Sequence, residues 1–394
     1  MRILAFQPHP YDGSEIYWRR DMGALVHAWI ALGHDASLVL FEAGGVPPGA
    51  GLPLLLTDPI RARDPAWWRA QRPDAVIFNT WGASRYRPIW DAALAVTPRI
   101  VDRLDTDGIR SPRVELESYL FSMWSRMKDV TRRRWRSPLA WPYSLAHAAV
   151  QGAVPSLLDL KMAAALAHLP AVTAESPIAA ARIRRFQQIF GHSGDNVHQV
   201  PHPVVEDALP EVRPDARERL ITSVGRWDSH QKNLPLLLDV LRDFIRVNPG
   251  WRVELVGNLG KQEGFARAAV AGLPIELMGP LPHGQVYPVL ARARIFVMSS
   301  RHESFNIAAA EALCCGCSVV APAHIATGPW FCATRSGTVA PVYSRTGLVD
   351  ALSAEAAAWE SGAREPDRIA NHWRSVTGAR AVAKRLVELV GGIG

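Results

Sequence analysis

The chain has 394 residues, too many for one ordinary domain and suited to two of roughly 150–200 residues. Hydrophobic residues make up 48% and charged residues 21%, which excludes disorder as a description of the whole chain. A net charge of +7, carried almost wholly by arginine, favours anionic partners such as sugar nucleotides, lipid phosphates or nucleic acid, without choosing among them.

Residues 2–6 form a short apolar run, and a turn-rich segment follows through Gly13. Helical periodicity from Ile16 to Leu32 ends at Gly33-His34, and Ala36 to Phe41 is apolar again. Strand, loop, helix, strand is the βαβ unit of a parallel sheet. Ala75–Phe78 and Arg99–Val101 are further buried-strand candidates, and Ala171–Ala174 closes the first half. The first apolar run is too short for a signal-peptide core. No stretch of about 18 residues is uniformly apolar, so a cytoplasmic protein is expected.

One segment departs from the alternation. Arg126, Lys128, Arg132, Arg133, Arg134 and Arg136 surround Trp124 and Trp135, and a largely helical, apolar stretch runs from Leu139 to Leu169. This fits either a peripheral anchor on the anionic inner membrane face through Arg126–Arg136, or the solvated face of an inserted helical pair.

The alternation restarts after Pro201-His202-Pro203, and the proline-studded stretch from Ala208 to Pro214 suits a linker. Strands are expected at Leu220–Val224, Trp251–Val256, Ile275–Met278, Ile295–Met298 and Ser318–Ala321. Helices are expected at Leu234–Val247, Phe265–Ala271, Val286–Ala293 and Ile307–Leu313. Such strict alternation predicts an α/β protein of two doubly wound, Rossmann-like domains facing a central cleft. The division read from it is a first domain over 1–205 with a helical, basic insertion around 110–170. A second domain over 206–372 follows, and a terminal helix over 373–394 packs back toward the first.

Two loops carry the chemistry. Gly225 ends a strand, and Arg226 and Lys232 follow before a helix begins near Leu234. Cations and helix-start amides together make a diphosphate site. The chain has five lysines, and one of them falls here. The second loop, Ser299 to Asn306, begins where another strand ends and runs into Ile307–Glu311. On a continuous helix, Glu303 and Glu311 would stand about 12 Å apart at 1.5 Å per residue, beyond the ~5–9.5 Å span of a hydrolytic carboxylate pair. Two separate tasks along one elongated ligand fit better: Glu311 for vicinal ribose hydroxyls, Glu303 for the sugar.

Gly225-Arg226 with Lys232-Asn233, then Glu303 and Glu311, resembles glycosyltransferase family 4, retaining enzymes of the GT-B fold. The likeness extends over Gly279–Val320 and loosely to Gly13-Ser14-Glu15 and Gly33-His34. It implies a hexosyltransferase that moves the sugar of a UDP- or GDP-type donor to a hydroxyl acceptor with retention. Arg226 and Lys232 would bind the diphosphate and Glu311 the ribose. Glu303 would lie at the sugar, with the amides of Ser304, Phe305 and Asn306 near phosphate or hexose, and Gly13 would close from the opposite loop. No metal or other cofactor is implied, since cations and amides stabilise a departing nucleoside diphosphate.

This chain departs from the family where Asp12-Gly13 replaces a glycine pair, and where Asn233 and Asn306 stand at usual glycine positions. A histidine expected beside the sugar is also replaced, within Asp102-Arg103-Leu104-Asp105-Thr106-Asp107. Asp105 is the candidate for that catalytic position, and Arg103, Asp105 and Asp107 are acceptor-side candidates. Asp105 and Asp107 could also be read as hard ligands for Mg²⁺ or Mn²⁺, or as a structural turn. Of the histidines, His9, His283 and His302 fall on expected loops, and His302 matters through its neighbour Glu303. The cysteines Cys314, Cys315, Cys317 and Cys332 lack zinc-site spacing and read as buried thiols.

The alternative reading is a non-catalytic nucleotide-sugar or carbohydrate binder on the same scaffold. A dinucleotide oxidoreductase lacks its G-x-G-x-x-G fingerprint here, and no nucleic-acid recognition module is present.

Overall fold

The computed structural model describes residues 1–13, 21–43, 53–106, 142, 146 and 157–393. Asp107, the basic stretch Arg126–Arg136, and Ser14-Glu15 lie outside the described residues.

Among the described residues of the first half, seven strands form one sheet. They are β1 (Arg2–Pro10), β2 (Asp35–Phe41), β3 (Leu54–Thr57), β4 (Ala75–Phe78), β5 (Ile100–Leu104), β6 (Ala171–Ala174) and β7 (Val197–Gln199), in the order β3-β2-β1-β4-β5-β6-β7. Every neighbouring pair is parallel. Six more strands form the second sheet: β8 (Glu218–Val224), β9 (Arg252–Val256), β10 (Ile275–Gly279), β11 (Ala293–Val297), β12 (Ser318–Pro322) and β13 (Gly337–Ala340). Their order is β10-β9-β8-β11-β12-β13, again all parallel. The two doubly wound sheets expected from the alternation are both present.

Side-chain alternation along each strand supplies both faces of each sheet. In β1, Ile3 and Ala5 join one buried cluster while Leu4 and Phe6 join the other. In the second sheet Leu220 and Phe296 face one layer of helices, and Ile221, Ile295 and Val297 the opposite layer.

The structure corrects the expected strand inventory. The first sheet does not stop at Ala171–Ala174 but adds β7, and β3 and β13 were not anticipated. All three are edge strands of three or four residues. Such short strands show no period long enough to register. Residues 283–292 form a helix that starts earlier than the apolar period suggests and carries Pro288 inside it.

The chain crosses between the domains twice, side by side. Val204 accepts from Ala379 and donates to the carbonyl of Thr377, each at 2.8 Å. The helix Pro366–Thr377 packs on the second domain through Ile369 and Trp373. After Gly378 the helix Ala379–Gly391 packs into the first, burying Val382, Ala383, Leu386 and Val390. There the Trp29 indole donates to the Ala383 carbonyl at 3.1 Å.

In both sheets the order reverses beside the first strand, between β1 and β4 and between β8 and β11. Ligands of open α/β sheets bind at the carboxyl ends of such strands. The loops after β8 and β11 are the two that the sequence singles out.

Candidate functional site

The turn after β8 is held close to its neighbour. Gly257, at φ 132°, lies so near that an added Cβ would stand 1.8 Å from the Gly225 carbonyl oxygen. Trp227 anchors the same turn by donating its indole N–H to the Val256 carbonyl at 2.9 Å. A short 3₁₀ turn, His230–Lys232, then leads to Asn233 at φ 50° and the helix Leu234–Val247. Asn306, before the helix Ile307–Cys314, stands at φ 71° and caps it through Oδ1 to the Ala309 amide at 3.3 Å. Asparagine is one of the few non-glycine residues that enters the left-handed region readily, which accounts for both replacements of glycine.

The two loops are stitched together. The Arg301 amide donates to the Gln231 carbonyl at 2.8 Å, and Gln231 Nε2 donates to the His302 carbonyl at 2.8 Å. Ser299 Oγ donates to the Lys232 carbonyl at 2.8 Å. At the junction sits Glu303, only 7% exposed. Its Oε1 pairs with Lys232 Nζ and accepts from Ser300 Oγ at 2.6 Å, and its Oε2 accepts from Gln231 Nε2 at 3.1 Å. Glu303 lies on the loop ahead of the helix, so the two glutamates are not on one continuous helix.

Glu311 is anchored independently. His283 Nε2 donates to its Oε1 at 2.8 Å, and the Tyr287 hydroxyl donates to the same oxygen at 3.3 Å. Burial, then the charge of Glu311, pushes the Tyr287 hydroxyl well above its ordinary value, so it acts here as a donor. Among the described residues, Glu303 and Glu311 share no partner.

These groups line one cleft of about 680 Å³, within the ~300–1,000 Å³ of small-molecule sites. Gly225, Arg226, Lys232, Glu303, Ser304, Phe305, Asn306 and Glu311 form one wall, and Asp21, Asp105 and His202 the other. Arg226 is exposed in it. The donor-side candidates therefore converge, although they span more than eighty positions. Gly13 ends the described part of its loop at φ 82°.

On the first-domain wall, Arg103 is 6% exposed and Nη2 donates to the Pro201 carbonyl at 3.1 Å. Asp105 is exposed and faces the cleft. Beside it Glu175 is buried, and burial together with the charge of Asp105 raises it well above the carboxylate range. Asp102 turns the other way: it accepts from the Thr80 amide at 2.9 Å, the Thr80 hydroxyl at 2.8 Å and the Gly82 amide at 3.1 Å. Burial still raises it to about 7.

Sequence reasoning missed His202, which pairs with Asp21 and stacks on Phe305 with ring centroids 5.8 Å apart. Pro201-His202-Pro203 was visible only as a boundary. It also missed Gln231, Tyr287 and Glu175. Tyr287 sits one helical turn from His283, and Glu175 is a charged residue at the end of an apolar strand run, so both carried a readable signal. The cysteines are buried free thiols, and burial raises Cys314 and Cys332 to about 12. Among the described residues no group of three His, Cys, Asp or Glu side chains could hold a metal ion, and no helix is long and apolar enough to cross a membrane.

Residues 218–354 match the family described as Glycosyl transferases group 1. No curated protein sequence matches the chain. Among solved structures it is similar to sucrose-phosphate synthase from Thermosynechococcus elongatus, with 15% identity, a TM-score of 0.64 and 98% of each chain covered. It is similar to the lipopolysaccharide outer core galactosyltransferase WaaB, with 14% identity, a TM-score of 0.65 and 99% of each chain covered. The Anabaena protein HepE, solved in complex with UDP and glucose, has 14% identity, a TM-score of 0.62 and 99% of each chain covered. The fold is therefore GT-B, and the segment that matches glycosyl transferases group 1 includes Arg226, Lys232, Glu303 and Glu311.

Proposed function

We propose that the chain is a nucleotide-sugar-dependent glycosyltransferase that moves a hexose from a UDP-type donor to a hydroxyl acceptor with retention of configuration. The observation that carries this reading is the pair of separately anchored carboxylates, Glu303 and Glu311, in one cleft with Arg226 and Lys232. A hydrolytic pair would share one bond between them; these two serve different parts of an elongated ligand.

Glu311, whose Oε1 is held by His283 and Tyr287, accepts hydrogen bonds from the ribose hydroxyls. Arg226 and Lys232 hold the diphosphate and offset the negative charge that grows on it as the glycosidic bond breaks. Glu303 holds the hexose, with the Ser304–Asn306 backbone beside it, and Gly13 closes from the other domain. Asp105 takes the acceptor side. The step needs no group beyond donor, acceptor and these side chains. UDP is preferred to GDP because the similar Anabaena structure holds UDP and glucose.

The test is release of UDP from UDP-hexoses, followed by NMR of the product's anomeric proton. Binding of UDP-glucose without UDP release under any acceptor would favour a non-catalytic binder instead. An inverted product would remove the retention claim.

A further inference from the structure

Behind the first-domain wall of the cleft, several strand ends of the first sheet converge. Asn79 follows β4, Arg103 and Asp105 close β5, Glu175 follows β6, His202 follows β7, and Asp21 opens the helix after β1. Together they line a slot of about 10 Å³, room for roughly one water-sized group. Asp21, Asp105 and His202 also line the main cleft, so the slot adjoins it opposite Lys232 and Glu303.

Three side chains in this slot, each more than nine-tenths buried, carry a polar atom with no hydrogen-bond partner: Arg103 Nη1, Asn79 Oδ1 and Glu175 Oε2. Buried polar atoms are normally satisfied, and three exceptions around one small volume call for a common explanation. Arg103 is fixed in place by its bond to Pro201. Burial and the charge of Asp105 push Glu175 well above the ordinary carboxylate range. The set is thus one acceptor, one cationic donor and one carboxyl group. A hydroxyl donates one hydrogen bond and accepts two, which complements that set. An ammonium cannot accept, and a phosphate dianion cannot donate and would add charge beside Asp105.

We infer that the slot receives a single hydroxyl of the acceptor, so that the acceptor presents a neutral polyol or sugar face to the first domain. This rests on the glycosyl-transfer reading of the cleft. Asn79 and Glu175 then select the acceptor without touching the donor.

The experiment uses the full chain, with calorimetry and thermal shift in the presence and absence of UDP. The probes are the methyl glycosides of glucose, galactose and mannose and their single-deoxy analogues. At least one glycoside is expected to bind, and removal of one particular hydroxyl should weaken it about tenfold. Asn79→Leu should abolish that discrimination. Glu175→Gln, which still donates and accepts, should keep it within about threefold, and neither variant should change UDP affinity. The deoxy series on the unmodified chain decides the matter even if a variant fails to fold. The proposal is overturned if no glycoside binds, if all deoxy analogues bind alike, or if Asn79→Leu leaves the discrimination intact, in which case the slot holds only a water. Failure of UDP itself to bind would instead sink the donor reading, and the arms without UDP would still judge the slot.

Discussion

The contact between Lys232 and Glu303 joins the two loops of the second-domain wall of the cleft, with side chains 14% and 7% exposed. Removing one partner of a buried pair leaves a charge uncompensated, at a cost of ~3–5 kcal/mol. Lys232→Ala should therefore lower both the melting temperature and the affinity for UDP. Glu311→Ala leaves no charge stranded; it should weaken UDP by about tenfold or more while the fold survives. Calorimetry separates these outcomes, and full UDP affinity in either variant would refute the site assignment. Asp102 yields a pH prediction. Its folded value of about 7 lies above the ordinary 3.8, so the folded chain holds the proton more tightly. The resulting stabilisation is full below pH 3.8 and is lost as pH rises through about 7. Asp102→Asn should flatten that decline by ~1–3 kcal/mol in chemical denaturation across the range. Glu175 titrates in the same direction and leaves a residual slope. An unchanged profile would show that Asp102 does not titrate as buried.

Among the elements, the turn after β8 depends on glycine for a steric reason. Gly257→Ala would force its Cβ against the Gly225 carbonyl and a left-handed backbone on alanine. The turn bearing Arg226 should shift, with loss of several kcal/mol of stability and of UDP binding by calorimetry. A variant with unchanged UDP affinity would mean that this turn does not shape the donor site. The same local rules explain what was legible. Helix Leu234–Val247 and strands Ala75–Phe78 and Ala171–Ala174 were readable to the residue, because each is a clean run in its own period. β13 was not: Gly337 sits where an added Cβ would meet the Val319 carbonyl at 1.9 Å. That glycine is dictated by a neighbour eighteen positions away in sequence. His283 starts a helix but was expected on a loop, because His-Gly-Gln has no apolar period, and together with Tyr287 it fixes Glu311.

For the whole molecule, the two domains are joined by the paired crossing at Val204 and Gly378 and by contact across the cleft. A chain of rings runs from Trp373 through Trp330 and Phe331 to Phe305 and His202, linking the crossing to the loop that bears Glu303. The last helix belongs to the first domain's core although it follows the second domain in sequence. Leu386→Ala should therefore cost ~2–5 kcal/mol and destabilise the first domain, read as loss of protection from hydrogen exchange in β1 and β2. Protection lost instead around β8 and β9 would contradict this assignment. UDP at a hundredfold excess over its dissociation constant should stabilise the whole chain by about 2.7 kcal/mol, and a GDP shift larger than the UDP shift would reverse the choice of donor base.

Local and periodic information was enough to read the alternation of strands and helices, two doubly wound domains, and the loop residues that line the second-domain wall of the cleft. Each of these depends on short-range spacing: period two, period 3.6, or a glycine and cations at a strand end. The opposite wall could not be read that way. Asp21 opens a helix, while Glu175 and His202 follow two strands far from it in the chain, and the lateral order of parallel strands brings them beside Asp105. The expected histidine is absent from the β5 end, and an imidazole enters the cleft from the crossing segment instead. Strand order is a property of packing between distant segments, and no local period encodes it.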